Sequence, residues 1–467
     1  MSVRRFVLAS QSPRRRQILA IAGYDFDILP SQISEIPDEN LNLTSQIRQL
    51  ASDKAEACLK MGKYAQGLGI LVLASDTVVV LGDQILGKPK DEKEARSFLG
   101  RLSNQTHDVI TALSLIDVDT GRRLQDHAIT RVKFHELSEE KIDAYVATGD
   151  PLDKAGAYGI QSALASNFIE FFDGDYDTVV GLSMATVERA LITLGVLAQK
   201  RVSSIGENII RMRGEIARAA LAPDRATFEG CSHLPARLLA VSKTKPAVDV
   251  IDAWLVGQRM FAENYAQEAL PKIQEVEELI KIASSSPELR QKFSLDAVSS
   301  AIEWHFIGAL QSKKAKQVVG EFELIHSVDR VSLVEEIEKR AKSFAVERSQ
   351  PDFKQRLLLQ INIAGEATKG GASTENFVEL FDAALKCTHI KICGVMALPP
   401  LSDDVALARS RFAEVRAVFE TARKKLSPEQ QRDFTELSMG TTHDFNEAIA
   451  EGATLVRIGT ALFGERN

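Results

Sequence analysis

The stretch Leu238–Pro246, LLAVSKTKP, decides the fold of the larger part of this chain, because an apolar run ends there in a lysine, with a second lysine and a proline close behind. Lys243 therefore sits where a strand stops. A lysine amine is a nucleophile only when unprotonated, and a partly desolvated pocket near other cations lowers its pKa from the ordinary value of about 10.4. These residues alone fit either an aldehyde-trapping lysine or a solvated loop lysine, and the sequence downstream has to choose. Downstream, one unit recurs: apolar strand, polar turn, amphipathic helix. Strands are predicted at Leu238–Ser242, Met260–Glu263, Trp304–Leu310, Leu324–Val328, Arg356–Ile363, Ile390–Leu398, Phe434–Met439 and Leu455–Ile458. Eight strands with intervening helices predict a (β/α)8 barrel of roughly 250 residues, with ligands at the strand C-terminal ends. Lys243, Asn264, His305, Asn362, Met396, Ser438 and Arg457 fall at or near those ends. LSMG at Leu437–Gly440 and RIGT at Arg457–Thr460 close strands seven and eight, the usual phosphate cradle of such barrels. A lysine beside a phosphate cradle suggests pyridoxal 5′-phosphate (PLP).

At 467 residues the chain is too long for one ordinary core. With 45% hydrophobic and 26% charged residues and a formal net charge of −7, it is expected to be a soluble globular protein for which nucleic acid and anionic membrane are poor partners. The start, MSVRRFVLASQSPRRR, has an apolar run too short for a signal peptide, and no stretch approaches the roughly 18 apolar residues of a membrane span. A cytoplasmic protein is expected. Cys58, Cys231, Cys387 and Cys393 have neither CxxC spacing nor clustered histidines, so buried thiols are expected rather than disulfides or a zinc site.

The first part of the chain, residues 1–198, alternates strand-like and helix-like patterns. Phe6–Ser10 is a short apolar strand, and Ser12-Pro13 predicts a helix running to about Ala22. Arg14, Arg15 and Arg16 in its first turn oppose the helix dipole, which makes sense if that turn holds an anion such as phosphate. The apolar strand Leu71–Leu81, LVLASDTVVVL, is interrupted by Ser75, Asp76 and Thr77. A carboxylate in a central strand is costly unless it is paired, binds metal or does chemistry. LGKPKD at Leu86–Asp91 gives Lys88 a turn from which it can reach a phosphate, and GDPLDKAGAYGIQ at Gly149–Gln161 is too rich in polar groups and tight turns for a mere connector.

Together these motifs resemble the Maf (septum-formation inhibitor) family of nucleoside-triphosphate pyrophosphatases. LASxSPRR, the SDT strand, the GKP turn, THDVIT at Thr106–Thr111 and DKAGxY occur in the family's order. The resemblance implies hydrolysis of a nucleoside triphosphate to monophosphate and pyrophosphate with a divalent cation, Mg²⁺ or Mn²⁺. It places Asp76 as general base, Ser10, Arg14, Arg15, Lys54 and Lys88 as phosphate contacts, and Glu35 as a further acidic residue that shares the metal with Asp76. Within the family, DKAGAYGIQ is similar to the branch acting on dTTP and UTP, for which Arg14, Thr77 and Gln161 match the specificity positions. Departures are Ser183 in place of the usual proline after GL, and LSNQT at Leu102–Thr106 where a shorter glycine-containing turn is common. A nucleotide-sensing or division-inhibiting module without turnover is the competing reading. A homodimer through this domain is the assembly to test.

Apolar periodicity weakens at residues 199–205, a candidate linker, and a helix over Glu207–Ala220 leads on towards the barrel. The remaining residues, 206–467, resemble the pyridoxal-phosphate homeostasis protein family, related to the N-terminal barrel of alanine racemases, through AVSKTKP, ENYxQE at Glu263–Glu268, WHFIGxLQ at Trp304–Gln311, IHSVD at Ile325–Asp329, QINI with KGG, GVMAL and VRIGTALFG. The resemblance implies a Schiff base between PLP and Lys243, a phosphate held by Ser438, Gly440, Gly459 and Thr460, Arg457 beside the pyridine nitrogen, and Asn264 near the cofactor. Departures are Ala262 for glycine, Lys313 for asparagine, Thr442 and His443 near the cradle, and an insertion at residues 278–299. An arginine facing the ring nitrogen makes PLP a weaker electron sink than a carboxylate would. The racemases take a second base from an added β-domain, yet the sequence stops at Asn467. A PLP carrier is therefore preferred over an amino-acid racemase.

Overall fold

The computed structural model describes residues 3–31, 33, 41–162, 164–201, 203–222, 224–226, 236–285, 301–364, 370–400 and 402–465. The chain divides into two compact units, one formed by Met1–Val202 with Glu277–Val298 and the other by Ser203–Val276 with Ser299–Asn467. Most of the expected insertion at 278–299 lies outside the described residues, as do Glu35 and Cys231.

The first unit is built on a mixed sheet. Strand Val3–Leu8 pairs in parallel with Phe26–Ile28 on one side and Ile70–Leu81 on the other; the latter continues antiparallel through Thr106–Asp117 and Arg123–Phe134 to Ile169–Asp173. Ile70–Leu81 is central and buried along most of its length. Side chains alternate between the faces of a strand. Val78 and Val80 pack against Ile47 and Ala51 of helix Leu43–Gly62, whereas Val79 enters a separate core with Leu99, Phe134 and Tyr145. Asp76 therefore shares a face with Val78, and Thr77 with Val79.

The edge of this strand is interrupted. Val3–Leu8 accompanies it only to Leu73, and the short antiparallel strand Gln84–Leu86 takes up the same edge at Val79. Residues 74–78 thus line a notch in the sheet, where groups from both faces can meet.

Both departures from the family's loops have a local account. Asn104 takes the left-handed conformation a glycine would supply (φ 54°), which asparagine tolerates, and Lys133 Nζ bonds its carbonyl at 2.6 Å. Ser183 caps helix Met184–Leu194, its hydroxyl accepting from the Thr186 amide at 3.3 Å. Residues 199–201 are less slack than a linker. The Gln199 amide bonds the Arg4 carbonyl, the Arg201 amide bonds that of Gly23, and the Lys200 ammonium lies 3.0 Å from the centre of the Tyr24 ring. The next helix starts at Ile205.

The second unit is a closed barrel of eight parallel strands: Arg237–Val241, Met260–Glu263, Glu303–Phe306, Leu324–Val328, Gln355–Ile361, Ile390–Ala397, Glu436–Ser438 and Leu455–Ile458. Number and order match the sequence reading, but strand three is shorter than expected because its predicted end belongs to a mouth loop, and strand seven chiefly because Phe434 and Thr435 belong to the turn after helix Pro428–Asp433. Among the described residues no helix is long and apolar enough to cross a membrane. Cys58 and Cys393 are buried free thiols, and Cys387 is half-buried.

Candidate functional sites

Around the notch, the flanking segments carry the residues singled out from sequence. Ser10, Arg14 and Arg15 follow the strand that ends on one side, and Lys88 follows the strand that begins on the other. Ser12 occupies the N-cap of helix Pro13–Ile21 but its side chain caps nothing, and the first turn contains no acidic residue. A helix start without a side-chain cap or an acidic residue favours an anion.

The arginines divide the work. Arg15 braces the site: Nε donates to the Gly181 carbonyl at 2.8 Å, Nη1 to Ser10 Oγ at 3.2 Å and Nη2 to Thr77 Oγ1 at 3.3 Å. Thr77 Oγ1 also lies 2.9 Å from Thr111 Oγ1. Arg14, half-buried, makes no hydrogen bond or ion pair among the described residues, and Lys88 is exposed and likewise without one. On the other face, Asp76 is buried, with one carboxylate oxygen bonded to the buried ammonium of Lys54; the other oxygen has no hydrogen-bond partner among the described residues. A buried carboxylate so paired is held in one orientation while keeping an open lone-pair face.

The loop over 149–161 closes the notch from above. The Gly156 amide bonds the Gly87 carbonyl at 3.0 Å, tying this loop to the turn that carries Lys88. Lys154 is structural here: its buried ammonium bonds Asp150 Oδ1 at 2.6 Å and Asp153 Oδ1 at 2.7 Å, while Asp150 also accepts from the Tyr145 hydroxyl. Burial pushes the Asp150 carboxyl up, but Lys154 and Tyr145 outweigh it and hold it below its ordinary value. Gly159 lies beside Arg14, and the Gln161 side-chain amide nitrogen is buried without a partner. A buried donor left unpaired is unfavourable unless a ligand completes it.

In the barrel, Lys243 follows strand Arg237–Val241 by two residues, half-buried at the C-terminal mouth. Asn264 follows the second strand. Its Oδ1 is buried without a partner, and a Cβ on Gly308 would fall 1.9 Å from its carbonyl oxygen, so only glycine lets the third loop lie there. The loop after strand seven is tied to strand eight where the Arg457 amide bonds the Gly440 carbonyl at 3.0 Å. Gly440 has φ 89°, and a Cβ there would meet that of Ala448 at 2.6 Å. Asp444 Oδ1 accepts from the amide and hydroxyl of Thr441, shaping the same turn. Gly459 and Thr460 start the last helix, with Gly459 packed against Val241.

Ser438 lies elsewhere than the expected phosphate shell. Its hydroxyl is fully buried, accepting from Arg457 Nη1 at 2.7 Å and standing 3.0 Å from His326 Nδ1; His326 Nε2 is 2.9 Å from His305 Nδ1, and Arg457 Nη2 donates to the Ala397 carbonyl at 2.7 Å. Burial, reinforced by His305 and Arg457, holds His326 well below its ordinary pKa, so it is neutral at pH 7. Burial also lowers Arg457 to about 10, still cationic there, with Asp444 opposing the shift. His305, next to last in its strand, is thus buried in the barrel interior. Met396 packs in an apolar cluster with Leu358 and Leu455.

Comparison with known proteins fits both units. Residues 5–194 match the Maf-like protein family, and residues 218–467 the N-terminal domain of alanine racemase. A dTTP/UTP pyrophosphatase of Bdellovibrio bacteriovorus is 43% identical over 185 residues, 40% of this chain and 96% of its own length. A pyridoxal phosphate homeostasis protein of Aquifex aeolicus is 38% identical over 231 residues, 50% of this chain and 87% of its own length. The chain belongs to both families, Maf-like first and alanine racemase N-terminal second. Among solved structures, PipY of Synechococcus elongatus with PLP bound is 29% identical, covering 56% of this chain and all of its own, with a TM-score of 0.41.

In the racemase-type barrel, sequence reasoning passed over His326, Asp444 and a buried ion cluster of Glu263, Lys272 and Glu268. His326 and the two glutamates lie inside motifs already quoted, and Lys272 stands four residues after Glu268 on one helix face. In the Maf-like unit it passed over Thr111, which supports Thr77 from the facing strand.

Proposed function

We propose that the Maf-like unit hydrolyses dTTP and UTP to the nucleoside monophosphate and pyrophosphate, and that the barrel binds PLP at Lys243 as a carrier. The observation that carries the first part is the notch: a buried carboxylate on a central strand with one open oxygen, flanked by Arg14 and Lys88. Asp76 orients a water and takes its proton as the water oxygen bonds the α-phosphorus and the α,β-bridging bond breaks, pyrophosphate leaving. Lys54 fixes Asp76, while Arg14, Lys88 and the start of helix Pro13–Ile21 hold the phosphates. Ser10, Arg15 and Thr77 act as a brace.

The open Asp76 oxygen suits a hard divalent cation, Mg²⁺ or Mn²⁺, whose remaining ligands are substrate phosphates and water; Glu35 is the second carboxylate proposed for it. Such a cation would neutralise charge gathering on the leaving oxygens. Gln161 is assigned to the base edge, since its amide offers a donor and an acceptor to a pyrimidine. Gln161→Ala is expected to flatten the preference for UTP over CTP more than it lowers the best rate, measured as kcat/KM for each triphosphate; an unchanged ranking removes Gln161 from specificity.

For the barrel, the residues suit PLP. Ala448 and Phe445 leave no room for a side chain at Gly440, the Asn264 oxygen is buried without a partner, and Lys243 stands at the same mouth. When bound, PLP supplies an aldehyde with which a lysine amine condenses, releasing water. Arg457, assigned to the pyridine nitrogen, is cationic and cannot accept a proton, so strong carbanion chemistry is disfavoured and carriage is preferred to racemisation.

We place the working boundary of the two domains at residues 199–205. Expressed alone, residues 1–198 should release pyrophosphate and residues 206–467 should bind PLP; insolubility of both pieces would point to an obligate interface. A homodimer through the Maf-like unit is tested on the same samples by sedimentation.

A further inference from the structure

The ion cluster beside Lys243 has no part in the function proposed so far. Lys272, on helix Ala266–Ser285, is buried, and its ammonium bonds Glu263 Oε1 at 2.9 Å, Glu268 Oε1 at 3.2 Å and the Ser242 carbonyl at 2.9 Å. Glu263, fully buried at the end of the second barrel strand, accepts the Ser242 hydroxyl on the same oxygen at 2.7 Å. Glu268 accepts the Thr244 amide on Oε1 at 2.5 Å. The residues on either side of Lys243 are therefore bound to one charged cluster, Ser242 by carbonyl and hydroxyl, Thr244 by its amide. Thr244 needs that hold, because its φ of 62° lies in the left-handed region that β-branched residues avoid. The cluster keeps the chain in a turn it would otherwise leave.

A buried ion pair is a poor device for stability, since apolar groups of the same size often serve as well; its advantage lies in fixing one geometry. We propose that Lys272, with Glu263 and Glu268, is the positioning group for Lys243, setting the direction in which its amine leaves the strand so that it meets a carbonyl carbon seated over the phosphate cradle. The inference rests on Lys243 being the lysine that binds PLP. Lys272 itself touches no cofactor.

The test uses the full chain and two probes, PLP and pyridoxine 5′-phosphate, which has the same phosphate and ring but no aldehyde. Lys272→Met removes the cation. The double change Glu263→Gln with Lys272→Met removes charge in balance and guards against a fold lost to one uncompensated carboxylate, while Glu268→Ala, on the solvent side, frees the Thr244 amide and removes one of the two carboxylates that hold Lys272. In all three, pyridoxine 5′-phosphate should bind as in the parent, whereas borohydride-fixed label on Lys243 at stoichiometric PLP should fall on the order of tenfold to a hundredfold, the scale expected when a reacting group is displaced by about 1 Å. A parallel fall for both probes would make the cluster merely structural and overturn the proposal, as would label on Lys243 unchanged in the double variant. If the parent chain itself takes no label on Lys243, the assignment of that lysine fails first and takes this inference with it.

Discussion

Asp76→Asn is expected to keep its fold and to lose pyrophosphate release by about 10² to 10⁴, the usual cost of removing a general base. The amide is nearly isosteric, so the strand and its pairing with Thr106–Asp117 have no reason to move. Its oxygen still accepts from Lys54, which limits the cost of leaving that ammonium buried. What disappears is the negative charge: the amide cannot take a proton from water, and it is a poor ligand for a divalent cation. Release of pyrophosphate from dTTP and UTP, followed with excess Mg²⁺ beside a thermal melt of the same sample, measures both halves of the expectation. Turnover near that of the parent would remove Asp76 from the mechanism. A collapsed melt would instead assign it to stability.

Lys243→Ala is expected to abolish the imine absorbance and the borohydride-stable label together while PLP still binds, more weakly, as the free aldehyde. Gly440, Gly459 and Thr460 are untouched by this change, and phosphate recognition needs no lysine amine. Excess PLP also labels exposed lysines, so the labelling is done at stoichiometric cofactor and located by peptide mapping. Lys245 is the nearest competitor, but its ammonium is engaged with the Glu465 carbonyl at 2.8 Å. Label that persists in Lys243→Ala, or maps chiefly to Lys245 or Lys313 in the parent, would show that another lysine carries the site.

Much of this was legible in the sequence, and what was not has identifiable causes. The barrel strands were visible because a parallel sheet buried on both faces is written as apolar runs broken by turns. Asp76 stood out for the same reason, as a charge inside such a run. The division of labour among Ser10, Arg14 and Arg15 was not legible, since it depends on where the Gly181 carbonyl arrives from a segment 166 residues away from Arg15. Ser438 was expected to hold phosphate because the family resemblance places it there, whereas its hydroxyl is engaged by Arg457 on the neighbouring strand, which spacing along the chain does not encode. Strand ends were read too long wherever apolar residues continue into a mouth loop, as at Ile307 to Leu310.

The interior row from Arg457 to His305 has a polarity that follows from one property of its first member. A guanidinium has no lone pair to offer, so the Ser438 hydroxyl must receive from it, keeping its own hydrogen and a second lone pair for the side that faces His326 Nδ1. Neutral His326 carries a single ring hydrogen to share between the Ser438 hydroxyl and His305 Nδ1, and His305 Nε2 lies 3.7 Å from the Glu303 carboxylate. The direction of the first hydrogen bond in the row, from Arg457 to Ser438, is thereby assigned. Such a row insulates at that end: Arg457 is a cation without a lone pair, so it cannot take up a proton and hand it inward to Ser438.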